Sequence, residues 1–180
     1  VGDDFRRINW RATARTSHLM TNVYQDERSQ QVVCVIDKGR VMQQAFRGMT
    51  YLDYAINASL VLSYIAMRKE DKAGIMTFSD RFEDFVPPSA RRGHMQQILE
   101  TLYRQQTQFA ESDFSALTAH VNQHLSKRSL VVLYTNFANK VSMERQLPYL
   151  IQLNRRHRLL VVFFVDNELK EYIATRPDTD

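Results

Sequence analysis

His120 and His124 stand four residues apart, a spacing that puts two imidazoles on one face of a helix, where they could hold a metal ion. A metalloprotease would place glutamate at position 121 as general base. Val121 stands there instead and belongs to an apolar stripe. Asp37 follows an apolar run, where a phosphoaspartyl nucleophile would sit. That chemistry wants a second Asp at position 39 as general acid, and Gly39 is there. A hydrolase built on Asp37 and Asp166 would need both carboxylates in one deep pocket beside a nucleophile. The chain has no G-x-x-x-x-G-K-[ST] or G-x-G-x-x-G phosphate loop and no G-x-S-x-G elbow. Its one cysteine, Cys34, lies inside Val32-Val33-Cys34-Val35-Ile36 and reads as a packing thiol. An intramolecular disulfide and a cysteine zinc site are excluded, and a reducing compartment is expected. The balance is against an enzyme.

The elements that must carry these residues alternate between strands and helices. Val32 to Ile36 is a continuous β-branched run, as in a strand covered on both faces. Thr50 and Asp53 have capping-box spacing, and Leu52 to Met67 is apolar on most faces, which predicts a well-buried helix. Ala73 to Phe78 is a second strand. Arg81 to Val86 is a third, paired as a hairpin and stopped by Pro87-Pro88. Helical spacing recurs in Met95, Ile98, Leu99, Leu102 and Tyr103, and again in Phe114, Leu117, Val121 and Leu125. Leu130 to Tyr134 and Leu159 to Val165 are further strands. Leu147 to Leu153 lies in a helix, with Pro148 placed near its first turn. The pattern predicts α/β architecture: an open, doubly wound, mostly parallel sheet with helices on both faces, centred on Val32 to Ile36. Ile36, Ile56, Leu60, Leu99, Leu133 and Val162 are its expected core. Function in such sheets gathers at the carboxyl ends of the strands.

The chain has 180 residues, enough for one domain with a proper core. Its 24 cations and 20 anions leave a net charge of +4. Lys and Arg look scattered along it, with small clusters at Arg6-Arg7, Arg91-Arg92 and Arg155 to Arg158. A nucleic-acid binder would gather positive charge on one face. No apolar run approaches the roughly 20 residues of a membrane span, and no signal peptide is visible at Val1-Gly2-Asp3-Asp4. The expected location is the cytoplasm. Without an initiator Met, the chain is expected to be a fragment or a processed product.

Residues 1–30 form an expected extended N-terminal arm, and 31–180 the main domain. The arm carries Gly2-Asp3-Asp4-Phe5-Arg6-Arg7-Ile8-Asn9-Trp10-Arg11-Ala12-Thr13-Ala14-Arg15. This resembles the G-D-x-x-R-x-I-x-W-x-A-[ST]-A-R pattern of the bacterial domain of unknown function 58, whose members carry a von Willebrand factor A-like domain. Asp3, Arg6, Trp10 and Arg15 are the motif residues singled out. They either pack the arm onto the sheet or contact a partner. Asp37-Lys38-Gly39-Arg40, Leu52 to Ala58 and Thr135-Asn136-Phe137 also look like the family. The resemblance implies an adaptor or protein-interaction module that works with a MoxR-type AAA+ ATPase. It also implies a membrane-anchoring segment upstream, and a further helix and strand after residue 180.

Many von Willebrand A domains hold a divalent cation in about six oxygens. The resemblance places that pattern on Asp37, Gly39, Val41, Ser112 and Asn136. Two hydroxyl ligands are then missing and one carboxylate has become an amide, so the implied metal site is degenerate, with magnesium disfavoured. No cofactor is expected. Lys38 and Arg40 occupy the loop that carries hydroxyls in metal-binding relatives. They are expected to offer fixed positive charge to an acidic partner residue, with Asp37 orienting Arg40. The rival readings are a nucleic-acid-binding domain using a basic surface, and a metal-dependent hydrolase.

Overall fold

The computed structural model describes residues 29–164 and Arg15. Arg15 is helical and exposed. The rest of the arm, with Asp3, Arg6 and Trp10, lies outside the described residues, as does Asp166.

β1 (Gln31–Asp37) is followed by a 3-10 turn (Arg40–Gln43) and a small hairpin of β2 (Ala45–Phe46) and β3 (Met49–Thr50). Then come α1 (Tyr51–Arg68), β4 (Lys72–Phe78), β5 (Phe82–Ser89), α2 (His94–Tyr103) and α3 (Phe114–His124). β6 (Leu130–Thr135), α4 (Lys140–Arg156) and β7 (Arg158–Phe163) complete the order. The sheet runs β5-β4-β1-β6-β7. β1 lies at its centre, parallel to β4 and β6; β7 is parallel to β6, and β5 alone is antiparallel.

Both faces of β1 are buried, which is why its run is apolar without alternation. Val32, Cys34 and Ile36 pack in the cluster with α1 and α2, and Val33 and Val35 in the cluster with α3 and α4. The Cys34 thiol is pushed up to about 11 by burial, so it is an inert packing group.

α1 starts on the predicted capping box. Thr50 Oγ1 accepts from the Asp53 N–H at 3.1 Å, and Asp53 Oδ2 accepts from the Thr50 N–H at 2.8 Å. Its burial differs from expectation. The face toward the sheet is mostly small, with Ala55, Ser59, Ser63 and Ala66, so the helix sits close to β1 and β4. Val61, Tyr64 and Ile65 remain exposed.

Three further expectations are corrected. β5 runs through Pro87 and Pro88 to Ser89, because it is an edge strand and its outer backbone has no ladder to break. Pro148 lies in the middle of α4 rather than its first turn. It lies on the exposed face of the helix, where the carbonyl left unpaired one turn earlier costs least. Leu99 is 44% exposed: α2 buries Ile98 and Leu102, and one step around the helix carries Leu99 off that face. Ile36 and Leu133 are fully buried, while Ile56, Leu60 and Val162 are partly buried against the core.

Leu133→Ala should cost about 2–5 kcal/mol, as for a large-to-small change in a closed core. Leu99→Ala should change stability by no more than about 0.5 kcal/mol. Urea denaturation of the two variants measures the contrast.

Candidate functional site

The carboxyl ends of β1, β4 and β6 meet beneath the connection from α2 to α3, residues 104–113. Backbone bonds fasten this lid. The Gln108 N–H donates to Lys38 O at 2.8 Å, Arg40 N–H to Ala110 O at 3.0 Å, and Asp113 N–H to Ser79 O at 2.8 Å. The Asp113 side chain then caps α3 by accepting from Ser115 and Ala116 N–H.

These constraints gather three donors around one carboxylate. Asp37 is fully buried. Its Oδ1 accepts from the Gly39 N–H at 2.8 Å and from the Ser112 hydroxyl. Its Oδ2 accepts from Thr135 Oγ1 at 2.5 Å. Burial raises the Asp37 pKa from 3.8, and the three hydrogen bonds oppose that shift. Gly39 is required by proximity. A Cβ there would lie 2.1 Å from Ser112 Oγ and 3.1 Å from both Ala110 O and Asp37 Oδ1. A serine ligand at position 39 therefore has no room while Ser112 bonds Asp37.

Of the three residues assigned to the degenerate metal site, the fold joins Asp37 and Ser112 by a hydrogen bond, and Asn136 lines the same hollow while its amide bonds elsewhere. The Asn136 Nδ2 donates to Phe164 O at 3.1 Å, and its Oδ1 accepts from the Phe137 N–H at 3.0 Å. Its amide ties the end of β6 to the end of β7. Val41 supplies no oxygen. The side chains so placed fit a hard dication poorly, because positions 39 and 41 supply no side-chain oxygen and position 136 carries a neutral amide. Thr135 was missed in the sequence. It belongs to the family-like Thr135-Asn136-Phe137 stretch, but a hydroxyl closing an apolar strand is explained equally well by strand propensity.

Lys38 corrects an expectation. It is 5% exposed and ion-paired with Glu83, whose other carboxylate oxygen accepts from Ser79 Oγ at 2.7 Å. A buried, paired ammonium cannot be offered to a partner. Arg40 does face outward, with its side chain 59% exposed. Asp37 does not orient it; the Arg40 Nη2 lies 3.4 Å from Glu111 Oε1. Arg145 approaches the same carboxylate at 3.9 Å, so Glu111 stands between two guanidiniums. The hollow there, about 70 Å³, is lined by Asp37, Arg40, Ser112, Phe137 and Arg145 among others. Small-molecule sites usually occupy about 300–1,000 Å³, so this one suits the tip of a side chain. A wider cleft of about 800 Å³ lies at the other end of the sheet, beside Gln31, Pro88 and Arg91.

His120 and His124 form a stack with Phe82, with centroids 4.3 and 5.5 Å from its ring. Among the described residues no group of three or more His, Cys, Asp or Glu is placed to hold a metal.

The family model described as protein of unknown function DUF58 matches residues 1–172. The chain belongs to this family. Uncharacterized proteins of Mycobacterium tuberculosis and Mycobacterium bovis are 21% identical over 167 residues, covering 92% of this chain and 52% of theirs. The chain thus spans about half the length of the curated relatives it matches. Among solved structures, an aerotolerance-related membrane protein from Bacteroides fragilis aligns with a TM-score of 0.54 and 11% identity, covering 74% of this chain and 66% of that one. The manganese-loaded TRAP protein of Plasmodium vivax aligns at 0.53 with 14% identity, covering 86% and 66%. The DUF58 domain is von Willebrand factor A-like in fold, an α/β sheet with helices on both faces.

The raised pKa of Asp37 has a definite sign. The folded chain keeps a proton that the unfolded chain releases near 3.8. That stabilisation is complete below 3.8 and is lost as pH rises through the folded-state value. Asp37→Asn removes the titration. The stability of the wild type minus that of Asp37→Asn should fall as pH increases above 3.8, by at most about 1.4 kcal/mol per pH unit. Urea denaturation of both proteins across pH reads the gap, and a constant gap would contradict the assignment.

Proposed function

We propose that this DUF58 domain is a protein-interaction module, not a catalyst, and that it grips an acidic partner residue at the carboxyl end of its sheet. One observation carries the reading: Arg40 and Arg145 flank a single exposed carboxylate, Glu111, over a hollow the size of a side-chain tip. Two guanidiniums suit a carboxylate better than a lysine does, because each presents paired donors in a fixed plane. In a metal-binding von Willebrand A domain a cation would bridge to the partner's acid. Here Asp37 is spent on internal bonds, and Arg40 supplies the charge instead. Lys38 takes no part in this contact.

The partner class proposed from the family resemblance is a MoxR-type AAA+ ATPase, with the domain acting as its adaptor in the cytoplasm. Binding on this account needs no magnesium. Among the described residues no helix is long and apolar enough to cross a membrane.

Arg40→Glu tests the reading. The side chain is largely in solvent, so the fold should be unchanged by circular dichroism. Affinity for a MoxR-type ATPase, measured by calorimetry with the full-length protein, should drop by roughly thirtyfold or more, as when one member of a close interfacial charge pair is removed. Unchanged affinity would remove Arg40 from the contact.

A further inference from the structure

Cations that look scattered in the sequence are brought together by the topology. In a sheet whose central strands are parallel, every connection returning to the start of a strand lies at one end. Three such connections meet there, joined by the link that leaves the end of the antiparallel β5. The α1–β4 link carries Lys69, Glu70 and Asp71, flanked by Arg68 at the end of α1 and Lys72 at the start of β4. The β5–α2 link carries Arg91 and Arg92. The α3–β6 link carries Lys127 and Arg128. The α4–β7 link is His157 alone, flanked by Arg155 and Arg156 at the end of α4 and Arg158 at the start of β7.

Register fixes these loops beside one another. Ser89 pairs with Ala73, and Leu130 pairs with both Val32 and Arg158. The Arg158 N–H donates to Ser129 O at 2.9 Å, and the Lys72 N–H to Gln30 O at 2.8 Å. Among the described residues, ten cations and two carboxylates thus share one end, a local charge of +8 in a chain whose net charge is +4. All the cations except Lys72 are exposed. His157 reports the resulting field from within: burial lowers its pKa, and Arg156 and Arg128 lower it further.

We infer that this end of the sheet is a docking face for an anionic membrane surface. Its cations ride on four short links spread across the width of the sheet, so they meet a plane of phosphates together. The links contain no Phe, Tyr or Trp on which a base could stack, unlike a surface built for single-stranded nucleic acid. Among the described residues no helix lies across this end to enter a groove, as duplex readers require. The chain also joins the sheet here, where the Gln30 N–H donates to Asp71 Oδ1 at 2.8 Å. In this orientation Arg40, at the opposite end of the strands, faces away from the lipid.

Co-sedimentation of the whole chain with vesicles tests the inference. Phosphatidylcholine vesicles containing phosphatidylglycerol should bind it, pure phosphatidylcholine should not, and binding should weaken as salt is raised. At about fivefold per basic residue, neutralising two should cost about 25- to 30-fold. Arg91→Gln/Arg92→Gln and Arg155→Gln/Arg156→Gln should each show that loss. Lys140→Gln, at the far end, should not. These side chains are exposed, and circular dichroism verifies that the variants are folded. Three results would overturn the inference: no preference for anionic vesicles, equal loss in Lys140→Gln, or tighter binding to duplex DNA than to anionic vesicles at the same salt.

Discussion

The carboxylate of Asp37 is the constraint on which the rest of the domain's upper end depends. A buried ionisable group is costly unless its oxygens are satisfied. Here the backbone of Gly39, the hydroxyl of Ser112 and the hydroxyl of Thr135 satisfy them. Each donor comes from a different segment, so one side chain ties the β1 loop, the α2–α3 connection and the end of β6 together. The same tie holds Glu111, next to Ser112, near Arg40 and Arg145. Gly39 follows from this arrangement, since a side chain there would push Ser112 off Asp37. In this family member the carboxylate works as an internal fastener.

The two ends of the sheet then differ in character. The carboxyl end mixes charges at close range, with Lys38 on Glu83 and Arg40 and Arg145 around Glu111. Such a surface discriminates by geometry. The opposite end carries an unbalanced positive charge on short links, and such a surface acts through its summed field with little demand on shape. An interaction module with both could be oriented by one end while the other engages a protein.

Much of the architecture was legible in the residues. The unbroken apolar run of β1 could only be a strand covered on both faces, and Thr50 with Asp53 marked the start of α1. Errors arose where burial depends on what lies across a gap. Leu99 obeys helical spacing yet falls outside the core, because α2 is short and covers the sheet with one narrow face. Val61, Tyr64 and Ile65 are exposed because α1 turns its small residues to the sheet, which no count of apolar residues reveals. The site was half legible. Asp37, Ser112 and Arg40 were named, but the burial of Lys38 depends on Glu83, 45 residues away. Thr135 and Asn136 are adjacent in sequence, yet one faces Asp37 and the other bonds Phe164. Thr135 closes β6 and Asn136 lies just past it, so the end of the strand separates their contacts. The basic end was hidden for a similar reason, as its four links are far apart in sequence.

That Asp37 fastens the fold rather than a cation is most directly tested by thermal unfolding with and without metal. A ion bound only by the native state raises the melting temperature as its concentration exceeds its dissociation constant. The melting temperature in millimolar magnesium or manganese should equal that in a chelator. A rise that grows with metal concentration, and disappears in Asp37→Asn, would contradict the account and return Asp37 and Ser112 to the role of metal ligands.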